Sequence, residues 1–396
     1  MKKTLTAVLF AATALSTASA ALAEDIKLGV ILGFTGPIES IVADMGPAAE
    51  LAMKEVSEAG GILGGKKVVP VRGDSTCTDA AAATAAAERL ITSDKVSAIV
   101  GGDCSGVTTA MLQNVALAKG TVMISPSATS PALSTVEDNG LFFRTAPSDA
   151  RQGEIVAAIL MEQGIKSAAM TYTNNDYGKG LSDAIKTNFE KAGGKITISA
   201  SHTDGKGDYS AEVGALAAAG GDILIVAGYL DQGGKGIIQG ALDTGAFDRF
   251  YLPDGMIGDA LPKAIGADLN GSIGAVPGTD SPGVKAFSEM ATSAGFKAGP
   301  FAAESYDAAA LIMLAMEAAK SSESAKLKDA VLDVANAPGE KIFPGELGKA
   351  IKLIGEGKDI DYVGASAVEL VGPGESAGNY REITIKDQQI STVKFR

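Results

Sequence analysis

Tryptophan is absent from this chain, histidine occurs once and cysteine only twice among 396 residues. A single imidazole cannot build a histidine-rich metal centre, and His202 stands without cysteine, a second histidine or paired carboxylates at metal-ligand spacing. It reads as a surface residue at the end of a strand, with no catalytic or metal role. Nucleotide chemistry lacks its signatures as well. Gly29, Gly33 and Gly36 follow the first strand but not as G-x-G-x-x-G, and no acidic residue ends the second strand where a ribose would need one. A phosphate-binding lysine after a glycine loop and a G-x-S-x-G elbow are both missing. With no acid, base or nucleophile in a working arrangement, the expectation is a binding protein that performs no covalent chemistry and needs no cofactor and no metal.

Positive charge is in deficit too. Export removes Lys2 and Lys3, and 34 basic residues less those two leave 32 against 47 acidic ones. A surface that acidic repels nucleic acid and anionic lipid. Past residue 23, Lys, Asp, Glu or Gly interrupts every apolar run within about ten residues, whereas a bilayer span needs roughly 20. Direct membrane insertion is excluded on this reading, and any work at a membrane goes through a partner.

What is present begins with Lys2 and Lys3, an apolar run from Leu5 to Leu15 and a small-residue stretch ending Ala21-Leu22-Ala23. That order is a secretory signal peptide, with cleavage expected after Ala23. No cysteine follows the cleavage site to accept a lipid, so the mature chain is expected to be free in the periplasm, as a monomer. Cys77 and Cys104 then share an oxidising compartment, where they form either a disulfide or two buried thiols.

The leader removed, 373 residues remain, more than one hydrophobic core usually organises. From Ile26 onward short β-branched runs alternate with alanine-rich helical stretches: strands at Ile26 to Leu32, Lys67 to Val71, Val96 to Val100 and Val122 to Ser125, helices at Met45 to Glu58, Ala80 to Thr92 and Val107 to Ala118. A second series follows Pro147, with strands from Ser167, Lys195, Asp222 and Arg249. The fold class is therefore α/β, with two doubly wound parallel-sheet lobes and three crossover segments near residues 146, 276 and 360. The first lobe is expected to hold 24–146 and 277–359, and the second 147–276 and 360–396. Ser, Thr, Gly and Tyr recur just past the carboxyl ends of these strands, where open α/β sheets bind ligands. Helix-start amides with the hydroxyls of Ser105 and Thr129 suit a carboxylate, although Ser and Thr there are also ordinary turn residues and caps.

Several stretches carry a resemblance. They are Leu32-Gly33-Phe34-Thr35-Gly36-Pro37, Asp74 to Asp79, Cys104-Ser105, Met123 to Thr129, Phe143-Arg144-Thr145, Asn175-Asp176-Tyr177-Gly178, Gly207 to Ser210, Gly228-Tyr229, Asp254-Gly255 and Ser305 to Ala308. In their order and spacing the chain resembles the leucine/isoleucine/valine-binding family of periplasmic solute-binding proteins. The resemblance implies a type I periplasmic binding protein fold with the solute in the cleft between the lobes. It also implies that a small amino acid is passed to the membrane permease of an ABC importer. It places the ligand against Ser105, Ser127, Ala128, Thr129, Tyr177, Tyr229 and Asp254, and pairs Cys77 with Cys104. Two departures bear on specificity: Asp254 stands where the family often has Glu, and the segment after Pro37 reads Ile38-Glu39-Ser40-Ile41-Val42 where an aromatic residue often lines the pocket. The side chain expected is branched or otherwise apolar. The alternatives are a non-amino solute such as an aromatic carboxylate, an amide or urea, and a sensory protein that signals to a receptor.

Overall fold

The computed structural model describes residues 24–396, so the expected leader lies outside the described residues. Strands form along the β-branched runs: β1 (Ile26–Leu32), β2 (Val68–Asp74), β3 (Ala98–Gly101), β4 (Met123–Ser125) and β5 (Phe142–Pro147). Every residue of β3, β4 and β5 is buried. A parallel strand with helices on both faces is buried on both sides, which the apolar residues of these strands suit, and the polar ones, Ser125, Arg144 and Thr145, are hydrogen-bonded. Between strands run the helices Glu39–Glu58 and Ala80–Thr92, the latter capped by Asp79, whose side chain accepts from the amides of Ala81 (2.9 Å) and Ala82 (3.0 Å).

The second series comprises β6 (Ser167–Thr173), β7 (Lys195–His202), β8 (Ile223–Ala227), β9 (Phe250–Leu252) and β10 (Ile273–Pro277). Six shorter or later strands complete the set: β11 (Glu340–Ile342), β12 (Ile360–Tyr362), β13 (Leu370–Val371), β14 (Glu375–Ser376), β15 (Tyr380–Lys386) and β16 (Gln389–Phe395). Fourteen of the sixteen assemble into two seven-stranded, mostly parallel sheets, in the orders β13-β14-β5-β4-β3-β1-β2 and β16-β15-β10-β9-β8-β6-β7, and β11 and β12 pair with each other in parallel. After β10 the chain returns to the first lobe, where the helix Ala302–Ala318 is buried without a break from Glu304 to Met316 and packs against Glu39–Glu58. An all-round apolar helix of this kind is a core helix, not a surface one.

Three details differ from expectation. The third crossing lies between Ser376 and Tyr380, not near 360, because β14 pairs in parallel with β5 and covers the edge of the first sheet. Asp307 pins the approach to it: its carboxylate accepts from Tyr362 Oη (2.8 Å), the amides of Ala365 and Ser366 (2.8 Å each) and Ser366 Oγ (2.6 Å). The second strand runs on to Asp74, so an acidic residue does end it. That side chain is spent within the turn, accepting from Thr35 Oγ1 at 2.7 Å. His202 is buried rather than superficial; its Nδ1 sits 2.8 Å from Thr171 Oγ1, and burial lowers its pKa to about 4.

Candidate ligand-binding cleft

The carboxyl ends of β1, β3 and β4 in one lobe face those of β6, β8 and β9 in the other. In the first lobe the loop after β3 is built around Asp103. Its carboxylate accepts from the Gly33 amide (2.6 Å) and Ser75 Oγ (2.9 Å), tying together the turns that follow β1, β2 and β3. Burial pushes this carboxyl up, while the same hydrogen bonds oppose the shift. The Cys77–Cys104 disulfide, with Cα atoms 5.1 Å apart, clamps the loop one residue before Ser105. Gly36 takes φ +118° against the Thr76 carbonyl, a backbone conformation and an approach that only glycine accommodates.

Ser105 opens the helix Ser105–Met111, whose first amides have no intrahelical acceptor. The Ser130 amide donates to Ser105 Oγ (3.1 Å), so the Ser105 hydroxyl hydrogen is left to point into the cleft. Ser127 Oγ donates to the Asp103 carbonyl (3.1 Å), and Ser125 Oγ holds the loop after β4 through the Gly102 carbonyl (2.5 Å) and the Ala128 amide (2.9 Å).

The second lobe supplies the opposite wall. Asn175 caps the helix Asp176–Lys191 by accepting from the Gly178 amide (3.0 Å), which sets Tyr177 in the first turn. The Tyr177 ring stacks on Tyr229, with centroids 5.3 Å apart and planes 13° from parallel. Asp254, just past β9, is 1% exposed. Its Oδ1 accepts from Tyr177 Oη (2.6 Å) and the Gly255 amide (2.7 Å), and its Oδ2 from Gln152 Nε2 (2.8 Å). Gln152 Nε2 also donates to Asp149 Oδ1 at 3.0 Å, so one amide bridges two buried carboxylates. Asp149 Oδ2 is buried with no partner, while the Asp149 amide reaches across to the Thr129 carbonyl (2.8 Å). Burial raises both carboxyl groups. For Asp149 the neighbouring Asp254 charge adds to the rise and Thr129 opposes it; for Asp254 the bonds from Tyr177 and Gln152 oppose it. Among the described residues neither forms an ion pair. The buried cation beneath them, Arg144, is committed to the carbonyls of Ala128 and Ser130, Ser134 Oγ and Glu375.

Around these groups closes a cavity of about 30 Å³, with Ser105, Ser127 and Thr129 on one wall, Tyr177, Tyr229 and Asp254 on the other, and Ile38, Ile41 and Phe301 supplying apolar surface. Six of the seven expected site residues thus meet around one space. Ala128 does not: it is fully buried behind the wall, its carbonyl turned to Arg144. The turn after β4, in which Ser125 Oγ accepts from the amides of Ser127 and Ala128, turns this middle residue to the core. The sequence reading missed Phe301, Gly255, Asp149 and Gln152. Phe301 sits in the left-handed region (φ +59°) ahead of a helix, and Asp149 and Gln152 act through Asp254, features with no local sequence signature.

The lobes are in contact. The Asp231 amide donates to the Pro37 carbonyl (3.1 Å), the Ser40 amide donates to Asp231 Oδ2 (2.9 Å), and Lys297 Nζ lies 2.7 Å from Asp259 Oδ2. The structure is the closed form, and a solute larger than a few atoms must part its walls.

Residues 25–347 match the model of a family described as periplasmic binding protein. A Leu/Ile/Val-binding protein of Citrobacter freundii is 29% identical over 266 residues, covering 67% of this chain and 71% of its own. Among solved structures, a leucine-binding protein, LivK, from Thermotoga maritima superposes with a TM-score of 0.80 at 21% identity, covering 93% of this chain and 98% of that one. A benzoate-bound solute-binding protein of an ABC transporter from R. palustris gives 0.75 at 18%, covering 94% and 96%.

Proposed function

Because this chain belongs to the periplasmic binding protein family, we propose that it is the solute-binding component of an ABC importer and that its solute is a small apolar amino acid, a branched-chain one first. The observation that carries the reading is the layout of charge around the cavity. At one end Asp254 and, behind it, Asp149 are buried carboxylates that form no ion pair among the described residues, the charge of Arg144 easing only Asp149. Burial of such groups is costly unless they are protonated, fully hydrogen-bonded or met by a positive charge. A ligand ammonium answers that need. At the other end the hydroxyls of Ser105 and Thr129 and the first amides of the helix Ser105–Met111 suit a carboxylate, while Ser127 Oγ, its hydrogen given to the Asp103 carbonyl, is left to accept from the ammonium. Ile38, Ile41 and Phe301 offer only apolar contact to what lies between. The function requires no covalent step: second-lobe contacts, the Tyr177 and Tyr229 rings above all, reward closure around the solute.

A second reading, an aromatic carboxylate, draws on one observation. Asp254 already accepts three protein hydrogen bonds and can be sustained without a ligand cation. Calorimetric titration of wild type and Asp254→Asn with an amino acid and its 2-keto counterpart separates the two. On the amino-acid reading the substitution weakens the amino acid by about 2 kcal/mol and spares or improves the deaminated analogue. Equal losses for both ligands refute it and favour the non-amino solute.

A further inference from the structure

A second cavity of about 240 Å³ adjoins the cleft, and Phe301 is the one residue common to both linings. It sits at the hinge. Pro277, Gly278 and Thr279 bring it the second crossing, Glu304 projects from the first turn of the first-lobe helix Ala302–Ala318, and Arg381 stands beside the third crossing, near the start of second-lobe strand β15. Arg381 is held opposite Val276 on one side and Phe395 on the other. The two charged groups therefore belong to different lobes and meet only in this space.

Neither is satisfied there. Glu304 is 4% exposed, yet among the described residues its carboxylate accepts from no side chain and from no amide but its own. The Arg381 guanidinium, with five N–H donors, forms no ion pair and donates to no acceptor among the described residues. Burial pushes the Glu304 carboxyl up to about 7, its own amide and the Arg381 charge opposing the shift and Asp307 adding to it, and burial pulls the half-buried Arg381 down, the Glu304 charge opposing. Opposite charges taken this far from water normally close into a direct pair, because an unpartnered buried charge is costly. Here the two lobes hold them apart, with Phe287 and Val284 as apolar walls.

We propose that this hinge cavity is a second ligand site, separate from the cleft, for a small ω-amino carboxylate whose carboxylate sits on the Arg381 fork and whose ammonium sits on Glu304. A bidentate arginine contact and a charge-assisted bond to a buried carboxylate are the strong members of their class. A molecule that spans both contacts touches both lobes at the pivot, so its binding is coupled to the opening of the cleft, and by linkage the coupling is reciprocal.

The test is a calorimetric titration with glycine, β-alanine, 4-aminobutyrate and 5-aminovalerate, whose charges are set progressively further apart, on wild type, Asp254→Asn, Arg381→Gln and Glu304→Gln. The expected result is an affinity that peaks at one chain length, survives Asp254→Asn and falls about tenfold or more in Arg381→Gln and in Glu304→Gln. Arg381→Lys, which keeps the charge but not the fork, covers the case in which the glutamine variant does not fold; it should bind more weakly than wild type. Absence of binding at millimolar concentration for all four probes overturns the proposal. So does binding that is lost in Asp254→Asn yet unchanged in Arg381→Gln, since the probe is then in the cleft. The Asp254→Asn arm rests on the amino-acid reading of the cleft; the Arg381→Gln and Glu304→Gln arms do not.

Discussion

Replacing Asp149 with asparagine should reduce a proton release that accompanies binding of an amino acid. Asp149 Oδ1 and Asp254 Oδ2 lie 3.0 and 2.8 Å from the same Gln152 nitrogen, so they are no more than about 6 Å apart. Two unit charges at that separation repel by about 3 kcal/mol at an effective dielectric constant of about 20, on top of the desolvation each suffers. The empty protein relieves this by holding a proton on the pair. An arriving ammonium replaces the proton's charge and expels it. The carboxyl affinity for protons is high in the empty protein and lower in the complex, so binding releases protons and affinity rises with pH, by at most about tenfold per pH unit for one proton, until the empty pair has itself ionised. Stability runs the other way: a carboxyl raised in the folded state destabilises it when ionised, and that cost fades as pH falls through the raised value towards the ordinary one. Asp149→Asn should therefore melt higher than wild type at neutral pH, with the gap closing in acid. Titration of an amino acid in buffers of different ionisation enthalpy, between about pH 5 and about pH 8, counts the protons directly. Wild type should show a buffer-dependent heat in the acid part of that range and the variant a smaller one, carried by Asp254 alone. Heats that are equal in all buffers throughout, for wild type, would refute the reasoning.

Gly255→Ala would place a Cβ 2.6 Å from the Gly228 carbonyl and 2.8 Å from Tyr177 Oη, so it should displace the tyrosine and lower affinity more than tenfold, about 1.4 kcal/mol; calorimetry that finds wild-type affinity contradicts this. Removing the bridge with Cys77→Ser and Cys104→Ser together opens a loop of 27 residues, and chemical denaturation should register a loss of roughly 3 to 4 kcal/mol, against a null result if the bridge is incidental. His202 has its pKa lowered to about 4, so the ring resonances of this single histidine should hold still from neutral pH down to about 5, where an exposed imidazole would already have titrated. A midpoint near the ordinary value would show the ring reaching solvent.

Much of the architecture was legible because β-branched runs and alanine-rich helices alternate at a spacing that few other folds share. The placement of β13 and β14 was not, since two-residue strands carry no periodicity and their position depends on what lies at the edge of β5. Within the cleft, Ser105, Ser127, Thr129, Tyr177, Tyr229 and Asp254 were visible as polar residues at strand ends in a recognisable order. Ala128 was carried along by its neighbours and faces the core. Gln152 and Asp149 escaped notice because their partner, Asp254, is more than a hundred residues away along the chain, a pairing that only the tertiary structure creates.

The bonds that hold the lobes together at Pro37, Ser40 and Asp231, and at Asp259 and Lys297, involve no residue of the cavity wall. They act on the empty and the filled protein alike, and so set the fraction of empty molecules that are shut. A solute that binds the shut form has its apparent affinity scaled by that fraction. Strength of capture and choice of solute are consequently separable traits in this molecule. Substitution on the rim can retune the concentration range over which it works and leave its ranking of solutes untouched.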